Sequence, residues 1–291
     1  PKGIVFEEPL PQCCVFGKCR DCCITPECQN DPATFPIIIL HGHAVSKEVS
    51  AEYSLDGFNK IQRKLEEDGY LNAGAISLYT SKDAPKGVWG ISGVPVSIKT
   101  SYYFDIFEEP ENYIVVQVKS ESIDIYAIRL KELIETVRYK TGKPKVTIIA
   151  FSMGGLVARR YLQIFDADDV EKLILIGVPN KGIVGDIANY CPIVGGERLE
   201  CRDMNSNSLF MNKLNHGKLP DIPIYNIIGS GCSMDKEDGD GIVLNENAML
   251  KGAKNFIVRG KCEGIKPLHT QLLDIDKYPE VHYLILNALK K

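Results

Sequence analysis

The chain alternates between short runs of β-branched residues and longer amphipathic stretches. Phe35 to Leu40 is a continuous apolar run and reads as a central strand. From Ser54, a plausible N-cap, Leu55, Phe58, Ile61 and Leu65 fall on one helical face, and Gly69 stops the helix. Ala73 to Leu78 reads as the next strand. Ser122 caps a second helix with Tyr126, Leu130, Leu133, Ile134 and Val137 inward, closed by Gly142 and Pro144. Val146 to Phe151 is a strand that passes at once into a helix reaching about Phe165. Leu173 to Val178, Ile222 to Ile228 and Asn255 to Val258 supply further strands, and Pro279 opens a last helix through Leu289. This order predicts an α/β fold with a mostly parallel central sheet and helices on both faces.

Two segments interrupt the alternation. Between residues 80 and 119, Trp89 sits among glycines, and two alternating runs around Glu108–Asn112 predict an inserted β-hairpin. Residues 180–220 carry only weak helical signals, and a connection this long suggests a lid. Trp89, Ile183, Ile187, Leu209 and Phe210 are the apolar residues these segments offer to a pocket rim.

Residues 1–35 lack any helical period and hold Cys13, Cys14, Cys19, Cys22, Cys23 and Cys28. They predict an irregular arm before a catalytic domain over residues 36–291. Cys19-x-x-Cys22 could hold zinc, but no histidine lies nearby and the cysteines form adjacent pairs, so disulfides within the arm are the better reading. Cys191 and Cys201 are ten residues apart and can close a loop in the lid, while Cys232 and Cys262 follow consecutive strands whose ends can be adjacent. The even count of ten cysteines points to an oxidising, extracellular compartment, the cytoplasm of a hyperthermophile being the exception. The chain opens at Pro1 rather than Met, a sign of processing or trimming. Hydrophobic content of 44% is ordinary for a globular chain, and a net charge of −4 argues against a nucleic-acid partner. No apolar run approaches the ~20 residues of a membrane span.

The chemistry is concentrated at Ala150-Phe151-Ser152-Met153-Gly154-Gly155. A serine between a strand and a helix, flanked by small residues, has the form of a nucleophile elbow, with Ala150 in place of the usual first glycine. Such a serine needs a base and an orienting acid, in the chain order Ser, Asp or Glu, His. His216 lies in the long connection and His282 inside the last helix, whereas His269 sits in a loop after the last strand and is the natural base. Asp235, Glu237, Asp238 and Asp240 are candidates for the acid, and their Gly-rich loop lacks the spacing of a calcium-binding hand. The backbone N–H of Met153 and that of His43, in the loop after the first central strand, could form an oxyanion hole. The side chains of His41 and His43 are read as structural or pocket-lining.

Leu40-His41-Gly42-His43, the elbow, Val178-Pro179-Asn180-Lys181-Gly182, Asp240-Gly241-Ile242-Val243 and His269 with Leu272-Leu273 together resemble the α/β-hydrolase lipases and esterases. The elbow is similar to that of small bacterial triacylglycerol lipases, and the Val178–Gly182 turn also to inositol-deacylase-like proteins. The resemblance implies the α/β-hydrolase fold, no cofactor and no metal, and a carboxylic ester as substrate, lipid-like, small or polymeric. It singles out Asp240, which is followed by an apolar residue and a valine that can pack and hold it rigid. A thioesterase or acyltransferase would use the same residues, and a non-catalytic binding protein could keep the scaffold.

Overall fold

The computed structural model describes residues 11–43, 55–76, 91–109, 112–116, 118, 120–191, 196–235, 237–264 and 266–291. In chain order the strands are β1 (Gln12–Val15), β2 (Lys18–Asp21), β3 (Ile37–Leu40), β4 (Leu71–Ile76), β5 (Val96–Thr100), β6 (Asp105–Glu109), β7 (Asn112–Val116), β8 (Val146–Phe151), β9 (Val170–Ile176), β10 (Ile224–Ser230), β11 (Cys232–Met234), β12 (Glu237–Gly239) and β13 (Lys254–Arg259). Seven of them form one sheet in the order β13-β10-β9-β8-β3-β5-β4, parallel throughout. β3 and β8 are buried at every position, which is why both read as unbroken apolar runs.

Side chains alternate across this sheet and divide the core in two. Ile38, Leu40, Ile148 and Ala150 point into a cluster covered by the helices Ile123–Thr141 and Met153–Phe165. Ile37, Ile39, Ile149 and Phe151 point to the other face, against Asn59–Glu67 and Pro279–Lys290. From β3 the chain winds outward to β4 and β5, then crosses to β8 and winds the other way. The direction therefore reverses between β3 and β8, and a crevice at such a switch point, outside the carboxyl ends of the strands, is where open α/β sheets bind ligands.

Two expectations need correction. Val96 to Thr100 was assigned with the inserted hairpin, but β5 is a strand of the central sheet, inserted between β3 and β4. All five of its residues are buried, and two of the polar ones find partners: Ser97 Oγ donates to Leu71 O (3.1 Å) and Lys99 Nζ to Asn59 Oδ1. The hairpin itself is β6–β7. The helix expected from Ser54 is interrupted: Leu55 and Asp56 are helical, Gly57 and Phe58 form a turn, and the helix runs on over Asn59–Glu67, while Ser54 itself lies outside the described residues. The connection over 180–220 contains three short helices, Ile187–Tyr190, Arg198–Met204 and Leu209–His216.

In the arm, β1 and β2 form a hairpin, and its cysteines pair as Cys13–Cys22, Cys14–Cys19 and Cys23–Cys28. Val15 reaches into the larger core cluster, and Cys23 N–H donates to Ile91 O (2.6 Å). Lys143, buried just beyond the Ile123–Thr141 helix, donates to Thr34 Oγ1 (2.6 Å) and Cys28 O (3.1 Å) and so pins the arm to the body. Burial pushes its ammonium down to about 8.

Lys143→Met should destabilise the protein by about 1–3 kcal/mol, because buried acceptors lose their donor. A second signature follows from linkage. Lys143 has a folded pKa below the 10.5 of the free side chain, so between pH 8 and 10 the unfolded chain binds more protons and Lys143 makes stability rise with pH. Urea denaturation at pH 7.5 and 9.5 should show that contribution in the wild type and its loss in the variant.

Candidate active site

β8 delivers the chain to Ser152 at the switch point, and the helix Met153–Phe165 starts at the next residue. Ser152 takes φ +51° and ψ −127°, an arrangement that costs an L-residue about 1–3 kcal/mol and persists only where its surroundings enforce it. They do so here. Ser152 N–H donates to Ile176 O (2.9 Å). A Cβ on Gly154 would lie 2.2 Å from His41 O, one on Gly155 2.2 Å from Val178 Cγ2, and one on Gly42 2.8 Å from Ser152 Cβ. The small residues of the elbow are thus dictated by the His41 backbone at Gly154 and by the Val178 side chain at Gly155.

His269 lies in the short helix Leu268–Gln271. Its Nδ1 is 2.7 Å from Asp240 Oδ2 and its Nε2 is 2.9 Å from Ser152 Oγ. A carboxylate only accepts, so Nδ1 carries the proton, and in the neutral ring Nε2 is left to accept from the serine hydroxyl. Asp240 Oδ1 accepts from the N–H groups of Ile242 (2.9 Å) and Val243 (2.7 Å), and Asp240 O accepts from His269 N–H (2.8 Å). All three side chains are buried, Ser152 at 8%, His269 at 5% and Asp240 at 1% exposure. Gly177, at φ +58°, leaves room for the imidazole, since a Cβ there would sit 3.3 Å from His269 Cε1.

Asp238 is not part of this chain of bonds. It accepts from Ser230 Oγ (2.6 Å), Gly231 N–H (2.7 Å) and Gly239 N–H (2.9 Å), anchoring the β11–β12 hairpin to the end of β10. The Ser230 hydroxyl bond is the largest cause holding its carboxyl below the usual range. The acidic loop, though exposed here, is therefore fastened at this residue. Cys232 and Cys262 are joined across it, and Cys262 Sγ would lie 2.6 Å from a Cβ on Gly241.

The loop after β3 faces the elbow. Met153 is the first residue of its helix, where the N–H has no partner within the helix. His41 is buried, stacks on Tyr102 (4.3 Å between centroids), donates through Nδ1 to Gly42 O (2.6 Å) and accepts at Nε2 from Ser101 Oγ (2.8 Å). His43 Nδ1 donates to Glu200 Oε2 (2.5 Å), and its Nε2 lies 3.8 Å from Cys191 Sγ. His43, Cys191 and Cys201 are the group of potential metal ligands among the described residues, but the two sulfurs are bonded to each other and offer no thiolate.

The residues expected at a pocket rim are dispersed. Ile183 and Ile187 pack partly buried against the larger core cluster, and Phe210 belongs to that cluster. Leu209 is 90% exposed and, with Phe210, borders a groove formed with Ser122, Asp124, Asp203 and Lys213 that contains none of Ser152, Asp240 and His269. Trp89 lies outside the described residues. Sequence reasoning missed Glu200, Tyr102, Tyr103 and Tyr126, which underlie the His41–His43 loop. Their contacts join positions up to 157 residues apart, and no local pattern marks them.

A model of the α/β hydrolase fold family matches residues 36–190. A search of curated proteins finds no match. Among solved structures, the chain is similar to the mature lipase BlEst2 of Bacillus licheniformis, with 15% identity and a TM-score of 0.52 over 87% of this chain and 94% of that one. It is also similar to phospholipase PlaB of Legionella pneumophila in complex with thio-NAD (12% identity, TM-score 0.55, covering 89% of this chain and 59% of that one). A bromoperoxidase from Bacillus anthracis matches with 13% identity and a TM-score of 0.50, over 89% and 92% of the two chains. At such identities these likenesses are of fold, and it is the family match over residues 36–190, more than half of the sequence, that makes this chain a member of the α/β hydrolase family.

Proposed function

We propose that the protein hydrolyses carboxylic esters through a Ser152–His269–Asp240 triad, with residues 36–291 as the catalytic domain and the cysteine-rich segment before it as a fastened arm. The observation that carries this reading is the unbroken chain of hydrogen bonds from Ser152 Oγ through His269 to Asp240, set on a serine held at positive φ. Ser152 Oγ attacks the acyl carbonyl while His269 Nε2 takes its proton. Asp240 holds the imidazole in the required tautomer and stabilises the imidazolium. The N–H groups of Met153 and His43 receive the negative charge on the former carbonyl oxygen. Collapse of the tetrahedral intermediate expels the alcohol, which takes the proton from Nε2, and water releases the acyl group by the same steps. No cofactor is needed at any of them.

The substrate is an ester with a lipid-like or polymeric component. A lipase and a phospholipase among the fold neighbours support the lipid-like alternative. Five disulfides fit work in an oxidising, extracellular compartment. A p-nitrophenyl ester series of increasing acyl length, run with fluorophosphonate labelling, tests both activity and class. Neither labelling at Ser152 nor hydrolysis of any ester would leave a binding protein on a hydrolase scaffold.

Ser152→Ala should fold normally, lose the fluorophosphonate label and lose turnover by on the order of a millionfold, as in comparable triads. Asp240→Asn should lower kcat by roughly 10⁴-fold through the wrong histidine tautomer. Asp238→Asn should cost less than about tenfold in kcat and should be felt as lower stability to urea, since its partners are structural. An Asp238→Asn loss larger than that of Asp240→Asn would reassign the acid. Gly42→Ala places a methyl against Ser152 Cβ and should reduce kcat by about 10²–10³-fold, the scale of a lost oxyanion donor. Near-wild-type kcat in that variant would mean that the two segments need not touch for activity.

A further inference from the structure

Glu200 lies in the helix Arg198–Met204 and is only 1% exposed. A buried carboxylate is costly unless donors surround it, and a neutral residue of the same size would avoid the cost. Its donors converge from three elements. His43 Nδ1 approaches Oε2 at 2.5 Å, Tyr103 Oη donates to the same oxygen at 3.3 Å, and Tyr126 Oη donates to Oε1. The two tyrosines pack against Tyr102, whose own hydroxyl donates to His41 O (3.0 Å). That carbonyl is the one Gly154 must clear. Cys201, next to Glu200, is bonded to Cys191, whose sulfur lies beside His43 Nε2. The His43 imidazole is thus held by a carboxylate at one nitrogen and faces a cystine at the other.

We propose that Glu200 is a positioning residue for ester hydrolysis: through its buried pair with the His43 side chain it fixes the loop whose His43 backbone N–H receives the oxyanion. This rests on the ester-hydrolase reading above. An oxyanion donor works only when it is aimed beforehand at the place where charge develops, and a displacement of about 1 Å can cost on the order of 10²-fold in rate. The pairing also solves an electrostatic problem. A bare carboxylate under an oxyanion hole would oppose the charge that forms there, whereas here the His43 ring and two tyrosine hydroxyls are turned toward it. The two side chains therefore act as a unit, and loss of His43 alone leaves Glu200 buried with only the two tyrosine hydroxyls as donors.

The test compares wild type, Glu200→Gln, His43→Ala and the double variant. The readouts are kcat and KM on p-nitrophenyl butyrate and inhibition by an alkyl boronic acid, which forms the tetrahedral anion on Ser152. Glu200→Gln should lower kcat at least about tenfold with KM within about twofold, and weaken the boronate by a similar factor, because the lost interaction belongs to the transition state. His43→Ala keeps its backbone N–H yet should lose at least as much, and the double variant should be no worse than His43→Ala alone. Should Glu200→Gln fold poorly, Tyr126→Phe, which removes one donor to the same carboxylate, should shift kcat and boronate affinity in the same direction by less. Wild-type kcat and boronate affinity in folded Glu200→Gln, or equal loss of kcat for every substrate with boronate affinity unchanged, overturns the positioning role. A wild-type protein that hydrolyses no ester and takes no fluorophosphonate label overturns the hydrolase reading itself, so the two failures are distinct.

Discussion

The close approach of two backbone segments, Leu40–Gly42 after β3 and Ser152–Gly155 after β8, is the constraint on which the rest of the site depends. β3 and β8 are adjacent and parallel, so their carboxyl ends emerge side by side. The chain must turn sharply there, and Gly42, Gly154 and Gly155 each occupy a place where a Cβ would meet other atoms at 2.8 Å or less. Ser152 can hold φ +51° because β8 is locked between β3 and β9 and because Ile176 O receives its N–H. Strain of this kind is sustained by its neighbours and not by the residue. The same contact brings Met153 and the His43 loop to one side of the serine.

Around this point buried hydrogen bonds tie successive loops together, although the Arg159 Nε finds no partner. Arg159 donates to Asn180 O (2.8 Å) and to Asn215 Oδ1 (3.0 Å), and Asn180 Nδ2 donates to Ala248 O (2.8 Å). Asn226 Nδ2 donates to the same carbonyl and to Asn255 Oδ1. This network joins the loop after β9 to β10 and β13. Burial lowers the Arg159 guanidinium to about 10, so it is still a cation at neutral pH and its bonds are charge-assisted. Buried bonds of this kind favour the one arrangement of these loops in which their partners meet.

What could be read in the sequence follows from the range of the interactions involved. The elbow was legible because its requirement is local: a β-branched run, a serine and small neighbours within a few residues. β3, β8 and β9 were legible because burial on both faces leaves an unbroken apolar run. β5 was misread because Ser97, Lys99 and Thr100 look like a wet face, while the partners that satisfy Ser97 and Lys99, Leu71 O and Asn59, come from other elements. Asp238 is exposed, but its anchoring bonds could not be read, since its donors include Ser230 and Gly231 across a turn. Leu209 and Phe210 border one groove, but only Phe210 turns into the core, and periodicity in so short a helix does not tell the two apart. Glu200 carried no signal, because a carboxylate in a charged helix such as Arg198–Met204 reads as surface.

The placement of the cystines follows the same division between what the sheet can hold and what it cannot. The elbow needs none, because both flanking strands pair with it and glycine contacts complete the fit. The Asp240 and His269 loops extend past the ends of β10 and the edge strand β13, and there Cys232–Cys262 joins them. The His43 loop is packed on the elbow from one side, and on the other it meets a connection of short helices with little core of its own, where Cys191–Cys201 fastens the helix that carries Glu200. The arm, a two-stranded hairpin too small to be stable alone, takes three bridges within sixteen residues and one buried lysine. Disulfides thus appear where strand pairing and apolar burial are thinnest, and two of the five stand directly beside side chains that the hydrogen-bonded site requires in fixed positions.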